Sequence, residues 1–201
     1  SGVLGEEVTR VGVYGWGGGR ARFSDDLWCI RRNFMGRQMI RQVCPICEQR
    51  KLVDATGPAD ADVLLFGAYP GKLEVAKGVP WTGPAGQILE NEMARAGIQI
   101  RNCRITNLWL HEPAEVGTKR QPNPLYQEEL DWHFGQLHKE MAGRKALFIM
   151  GAEPCTLLGL GQISNMNGMT VTSGLFPSSV RLAVVSVNPA QAMHDLLGEL
   201  R

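Results

Sequence analysis

Two cysteines in the first quarter of the chain have the spacing of metal ligands. Cys44-Pro45-Ile46-Cys47 is a C-x-x-C, which brings two thiolates to one metal ion but needs two further ligands to complete a tetrahedral site. The chain has five cysteines, an odd number in a protein large enough to fold without disulfide staples. Metal ligation is therefore the chemistry to test, and a thioredoxin-like redox site is disfavoured because the pair precedes the first predicted strand.

Glycine clusters follow that first predicted strand. They run Gly67-Ala68-Tyr69-Pro70-Gly71 and then Gly78-Val79-Pro80-Trp81-Thr82-Gly83-Pro84-Ala85-Gly86. Glycines between a strand and a helix let backbone N–H groups approach a ligand and point a helix N-terminus at an anion. The stretch lacks the lysine of a P-loop and the glycine spacing of a dinucleotide fold. A ligand loop and a plain strand-to-helix connection both fit it.

The elements that position these residues begin near residue 61, where short apolar runs start to alternate with helical spacing. Four runs predict strands, at 63–66, 103–110, 146–150 and 181–187. Two stretches predict helices, at 86–96 and 127–141. This alternation predicts an α/β fold with a parallel sheet covered on both faces. Ligands of such sheets bind beyond the carboxyl ends of the strands, which directs attention to the loops at 67–85, 107–124, 151–155 and 188–194.

The first 51 residues differ from the rest in charge. Nine basic and five acidic residues give this stretch +4, whereas the whole chain carries +1. Its basic residues are interleaved with aromatics, a mixture that suits phosphates and stacked bases, although a solvated helix face with buried aromatics has the same composition. We divide the chain into a basic N-terminal arm, 1–51, that ends in the C-x-x-C, and a sheet domain, 52–201.

Composition argues against several classes of protein. A net charge of +1 provides neither a basic coat over the whole chain nor an acidic tail. No run approaches the ~18 uncharged apolar residues of a membrane span, and the N-terminus lacks a secretory pattern. We expect a soluble, cytoplasmic protein.

The glycine loop resembles the first motif of the uracil-DNA glycosylase superfamily, closest to the family 4 type. The pattern Gly-Glu-x-Pro-Gly, followed by Arg-Pro-Phe-Val-Gly-Arg-Ala-Gly, fits residues 67–86 without a gap. Ile105-Thr106-Asn107 is similar to the second strand of that family, and Val187-Asn188-Pro189-Ala190 lies where it has His-Pro-Ser or His-Pro-Ala. The resemblance covers about residues 44 to 197. It implies a three-layer sandwich around a central parallel four-stranded sheet.

The resemblance implies a pocket for a pyrimidine flipped out of DNA. Trp81 takes the position of the stacking phenylalanine, and Asn107 offers an amide donor and acceptor to a uracil-like edge. Gly67, Ala68 and Gly71 complete the base-binding loop. On their residue types alone, Trp81 also fits a buried core aromatic, and Asn107 also fits a cap or turn residue.

Two positions depart from the catalytic pattern of the family. Asn188 replaces a histidine; an amide can donate to O2 of the leaving base but cannot carry positive charge, and mismatch-specific glycosylases also have Asn-Pro. Ala68 and Tyr69 occupy the positions where related branches have a water-activating Glu, Asp or Asn. Tyr69 and Glu74 are the remaining candidates on this loop, although the pattern favours Glu74 as an exposed loop acid.

Further DNA contacts are expected from two loops. Gln191 or Met193 would fill the gap left by the flipped base, and His194 would contact a phosphate. Alternatively, Met193 begins the apolar face of a last helix and His194 is a surface residue. Lys119 and Arg120, in a proline-containing loop, are the other expected DNA contacts.

The resemblance also implies a metal site with altered ligands. The family 4 type has an N-terminal cysteine pair and two later cysteines that hold an iron–sulfur cluster, and the later pair falls here on His111 and His133. Two thiolates and two imidazoles form a normal structural zinc site and a poor cubane site. We therefore expect Zn2+ bound by Cys44, Cys47, His111 and His133, with an iron–sulfur cluster as the alternative. His138 competes as the fourth ligand, and buried thiols with solvated histidines would need no metal.

These features together imply a DNA glycosylase that flips and hydrolytically excises uracil or a 5-modified pyrimidine. The modified base is included because the small Gly71 leaves space beside C5. The alternative is a DNA-binding or modified-base-recognising protein on the same fold that does not excise, because the usual catalytic groups are absent at Ala68, Tyr69 and Asn188.

Overall fold

The computed structural model describes residues 50–111 and 126–191, and within them one parallel sheet forms the centre of the fold. Its strands lie in the order β2-β1-β3-β4, with β1 Val63–Gly67, β2 Arg104–Asn107, β3 Ala146–Met150 and β4 Leu182–Ser186. The connecting helices are α1 Lys72–Lys77, α2 Pro84–Arg95, α3 Tyr126–Met141, α4 Ala152–Leu157 and α5 Ile163–Met166. The predicted α/β fold with a four-stranded parallel sheet is confirmed. None of the helices in the described part of the chain is long and apolar enough to span a membrane.

Two apolar layers cover the sheet because strand side chains alternate between its faces. On one face Leu64 and Phe66 pack with residues of α3 and α4. On the other, Leu65 packs with Leu89 and Met93 of α2. Each fully buried side chain of this kind contributes about 1.5–3 kcal/mol, so burial on both faces accounts for the near-continuous apolar strands.

The predicted second strand is too long. β2 ends at Asn107 rather than at residue 110, although the N–H groups of Leu108 and Trp109 still donate to the carbonyls of Gly67 and Ala68, each at 2.8 Å. Leu108 and Trp109 are buried in the core beside α3. A short apolar run of this kind cannot be divided into strand and buried loop by periodicity alone.

An arginine cluster fastens α3 to the amino end of the sheet. The Arg144 Nη1 donates to the carbonyls of Ala59 and Ala61, both at 2.7 Å. The Glu140 carboxylate accepts two bonds from Arg104, at 2.8 and 3.0 Å. The bonds from Arg104 lower the pKa of Glu140 below its usual range. These contacts lie at the end of the sheet opposite to the candidate site. They fix the position of the C-terminal end of α3, after which the chain enters β3.

Candidate functional site

Gly67 and Asn107 lie side by side at the carboxyl edge of the sheet. They are register partners at the ends of β1 and β2. A side chain at position 67 is sterically excluded, because a Cβ there would lie 2.5 Å from Cζ2 of Trp81 and 3.1 Å from Oδ1 of Asn107. Three of the five predicted base-binding residues therefore meet at one point, and the glycine allows the indole to approach the amide.

The Trp81 indole is held in place by its own backbone and by a hydrogen bond. Its φ of 57° lies in the left-handed region, which is unfavourable for a bulky residue and costs of order 1–3 kcal/mol. Its Nε1 donates to the Thr106 carbonyl at 3.1 Å. At Gly86 a Cβ would lie 1.7 Å from the Trp81 carbonyl oxygen, so α2 can pass this close only with glycine there. The ring packs against the core beneath α2 yet remains half-buried. It is therefore part of the core, and part of its surface stays exposed.

The Asn107 side chain is buried, with 3% of its surface exposed. Within residues 50–111 and 126–191, no group forms a hydrogen bond with its amide. An amide that is so enclosed and makes no internal bond retains its donors and its acceptor for a ligand. In the described part of the chain it therefore acts neither as a helix cap nor as a turn residue.

The Asn188 amide has a defined orientation. Its Oδ1 accepts the N–H of Ala190 at 2.9 Å, and its carbonyl accepts the N–H of Gln191 at 2.8 Å. Because Oδ1 is used in this way, Nδ2 is the end of the amide that can donate to a ligand. Nδ2 lies beside Gly151 at the end of β3, 3.8 Å from where a Cβ of that residue would stand.

Glu74 is not the exposed loop acid that the sequence favoured. It lies in α1 and is only 8% exposed. Its Oε2 accepts the N–H of Gly71 at 2.7 Å, the contact by which an acid in the first turn caps its own helix. The prediction was wrong because the six-residue helix lacks a periodic signal long enough to be recognised. Tyr69, the other candidate on this loop, has 41% of its surface exposed.

Gly71 has room for a side chain as far as residues 50–111 and 126–191 show. Among these residues, a Cβ at this position would have one atom within 4 Å, Glu74 Oε2 at 3.9 Å. Its φ of −80° and ψ of 172° are accessible to any residue. The absence of a side chain at position 71 is therefore not required by the backbone, and the position can vary in size without disturbing α1.

Two histidines and an acid form a buried group on α3 and the segment after β2. His111 and His133, which the resemblance aligned with the later cysteines, approach with their Nε2 atoms 3.1 Å apart. Glu129 Oε1 lies 2.9 Å from His111 Nε2. The three side chains offer ligand atoms that all lie within 4.8 Å of one another, a spacing that could hold a metal ion. His138 is outside this group, so the alternative in which it replaces His133 is not supported.

The Nε2 atom of His111 faces a nitrogen of His133 and an oxygen of Glu129 at the same time. His133 Nδ1 accepts the N–H of Leu110 at 3.2 Å, and burial, with a smaller effect of His111, lowers the pKa of His133 to about 3. The neutral ring then carries its proton on Nε2, facing His111 Nε2. That His111 nitrogen cannot accept this proton and also donate to Glu129. A cation at the centre would satisfy all three groups.

Within the described residues, the donors of this group are two imidazoles and a carboxylate rather than thiolates. Iron–sulfur clusters are held by thiolates, whereas nitrogen and oxygen donors suit zinc. Glu129 was not predicted as part of the site, although its position four residues before His133 on one helix face was a usable signal. Six other predicted site residues lie outside the described residues: Cys44, Cys47, Lys119, Arg120, Met193 and His194.

The comparisons with known proteins agree with the geometry of the pocket. Residues 55–198 match the model of the Uracil DNA glycosylase superfamily. A Type-4 uracil-DNA glycosylase of Pyrobaculum aerophilum is 33% identical over 81 residues, which are 40% of each chain. One of Archaeoglobus fulgidus is 29% identical over 92 residues, which are 43% of this chain and 45% of that protein. Each alignment thus covers less than half the length of the relative. The match to the family model covers well over half of this chain, which belongs to the uracil DNA glycosylase superfamily and is similar to its family 4 type.

Proposed function

We propose that this protein hydrolyses the N-glycosidic bond of uracil or a 5-modified pyrimidine flipped out of DNA. The observation that carries the proposal is the meeting of Gly67, Trp81 and Asn107 at the carboxyl edge of the sheet. An aromatic ring beside an enclosed amide with unused donors and acceptor suits a planar base with a polar edge. Unstacking such a base costs a few kcal/mol, and stacking on one aromatic ring returns ~1–3 kcal/mol.

In this proposal Asn107 reads the base and Asn188 assists its departure. The Asn107 amide donates to O4 and accepts from N3–H of the pyrimidine. As the bond from C1′ to N1 breaks, negative charge develops on the base, and the Asn188 Nδ2, oriented by the Ala190 N–H, donates to O2. A donor aimed at developing charge lowers the barrier because it needs no reorganisation during the reaction.

The DNA duplex is assigned to the loops around the pocket. Gln191 is exposed directly after the Asn188 turn, where a side chain can enter the space left by the flipped base. Met193, His194, Lys119 and Arg120 are proposed as further contacts. Phosphate contacts by lysine and arginine would make binding fall as salt is raised.

We further propose that His111 and His133 bind a structural Zn2+ together with Cys44 and Cys47. The buried nitrogens 3.1 Å apart support this proposal, as does the position of His111 Nε2 within 2.9 Å of Glu129 Oε1. Glu129 would either accept a hydrogen bond beside the ion or replace one thiolate. Metal analysis should find about one zinc per chain and no labile sulfide. The His133→Ala variant should bind no zinc. Iron with sulfide, or no metal, would overturn the proposal.

The decisive test of the function is a substrate screen. Oligonucleotides carrying uracil, hydroxymethyluracil, hydroxymethylcytosine or glucosylated hydroxymethylcytosine are incubated with the protein and examined for alkali-labile sites. Cleavage of at least one, lost in Trp81→Ala and Asn107→Ala while both variants remain folded, is the expected result. Tight binding without cleavage would favour the non-excising alternative, for which the alanine at position 68 is the supporting feature.

A further inference from the structure

A partly buried hydrogen bond joins the segment that follows β2 to α4, the helix that follows β3. Trp109 Nε1 donates to Glu153 Oε1 at 2.8 Å, while the Trp109 N–H donates to the Ala68 carbonyl at 2.8 Å. β1 lies between β2 and β3 in the sheet. One tryptophan therefore links the Glu153 carboxylate to the backbone of Ala68, a position that lacks an acid.

The helix that carries Glu153 packs on the same face of the sheet as Trp109. Phe66 of β1 lies in the same core layer as Trp109 and Cys155, a residue of that helix.

Glu74 of α1 and Glu153 of α4 differ in the contacts that their carboxylate oxygens make. Glu74 caps α1 through Gly71. Glu153 uses Oε1 for the neutral indole N–H, and in residues 50–111 and 126–191 no cation pairs with it. It is half-buried, so Oε2 remains available at the carboxyl edge of the sheet. Glu153 is the better placed of the two to act on a water molecule.

We propose that Glu153 positions the attacking water and accepts its proton, in place of the acid missing at position 68. This inference rests on the proposed excision. The water oxygen bonds to C1′ as the bond from C1′ to N1 breaks, and the electron pair of that bond leaves on the base. The water proton passes to Oε2 of Glu153, and the departing base anion takes a proton from solvent. Trp109 is then a positioning residue, since it acts through Glu153.

The test compares Glu153→Gln with Glu74→Gln in single-turnover excision at saturating protein. Glutamine preserves the bond to the indole but cannot accept the proton, so the rate should fall by ~10²–10⁴, the usual contribution of a general base. DNA binding and thermal stability should stay unchanged. Glu74→Gln can still cap α1 and should change the rate less than about five-fold. A change of this size is clearly smaller than the ~10²–10⁴ expected for the loss of a general base. Glu92→Gln, on the exposed surface of α2, is the matched control.

A second variant separates chemistry from structure. In Glu153→Ala, added formate should restore part of the rate, because a small carboxylate can enter the vacated space and accept the proton. Trp109→Phe keeps a buried ring but removes the donor, and should lower the rate less than Glu153→Gln does. Two results with an active wild type would refute this inference alone. One is an excision rate of Glu153→Gln equal to that of the wild type, and the other is a slow Glu153→Ala whose rate formate does not restore. A wild type that cuts none of the four substrates would refute the proposed function with it.

Discussion

Replacing Asn188 by alanine isolates the contribution of a single oriented donor. The Asn188 Oδ1 accepts the Ala190 N–H at 2.9 Å. The substitution therefore removes one internal hydrogen bond and one proposed donor to the substrate. The internal bond is worth about 0.5–1.5 kcal/mol, which the fold can lose without unfolding. The lost donor acts only in the transition state, when charge develops on the base.

The expected magnitude follows from this separation. One donor aimed at developing charge is typically worth ~10²–10³ in rate, or about 2.7–4 kcal/mol. The excision rate should therefore fall by that factor while DNA affinity changes less than three-fold, since ground-state binding does not use the donor. Asn188→Asp keeps the bond to Ala190 but places a negative oxygen beside the charged base, and should be at least as slow.

The assay is single-turnover cleavage of an oligonucleotide that carries the best substrate, with abasic sites revealed by alkali. Asn165→Ala removes an exposed amide on α5 and serves as the control for loss of an asparagine. An Asn188→Ala rate within ten-fold of the wild type, or an active Asn188→Asp, would show that leaving-base stabilisation comes from another group.

The remaining predictions concern the pocket opening, the metal and the fold. Gly71→Tyr should leave uracil excision within a few-fold but suppress excision of 5-substituted bases, because the backbone accepts a side chain there; equal loss on both substrates would argue against the opening. His111→Ala should lose zinc and lower the melting temperature, measured by metal analysis and calorimetry, since structural zinc binding is coupled to folding. The pKa of Glu140 is lowered by Arg104, so their contact stabilises the fold at neutral pH and is lost as the pH falls below about 4. In urea unfolding the advantage of the wild type over Glu140→Gln should shrink across that range; a constant difference would contradict it.

The strands could be predicted because parallel strands buried on both faces are short apolar runs. The runs at 63–66 and 146–150 agree with β1 and β3 to within one residue. α1, α4 and α5 have six residues or fewer, too short for a helical period to be distinguished from a loop. Their existence depends on contacts with the sheet edge, which a local pattern does not contain.

Site residues could be predicted where the chemistry of the side chain itself suggests a role. They could not be predicted where the role depends on contacts that form only in the folded protein. Asn107 and Trp81 were found because an amide and an aromatic ring have recognisable chemistry at those positions. Glu74 was misjudged and Glu153 was missed because both are ordinary acids by sequence. Only their contacts distinguish them: one carboxylate accepts the Gly71 N–H of its own helix, and the other is bound by an indole from a different loop.

Residues 107–111 connect the proposed base pocket to the buried group of His111, Glu129 and His133 within a single stretch of chain. Asn107 faces the base pocket, Trp109 binds Glu153, and His111 belongs to the buried group with Glu129 and His133. The Trp109 ring centroid lies 5.1 Å from that of His133. The indole that binds Glu153 therefore also packs against a histidine of the buried group. The contacts of His111 with His133 and Glu129 attach this segment to α3. If the proposed site binds Zn2+ through His111, the same contacts hold the segment that carries Asn107 and the indole donor, so loss of the metal should also lower excision.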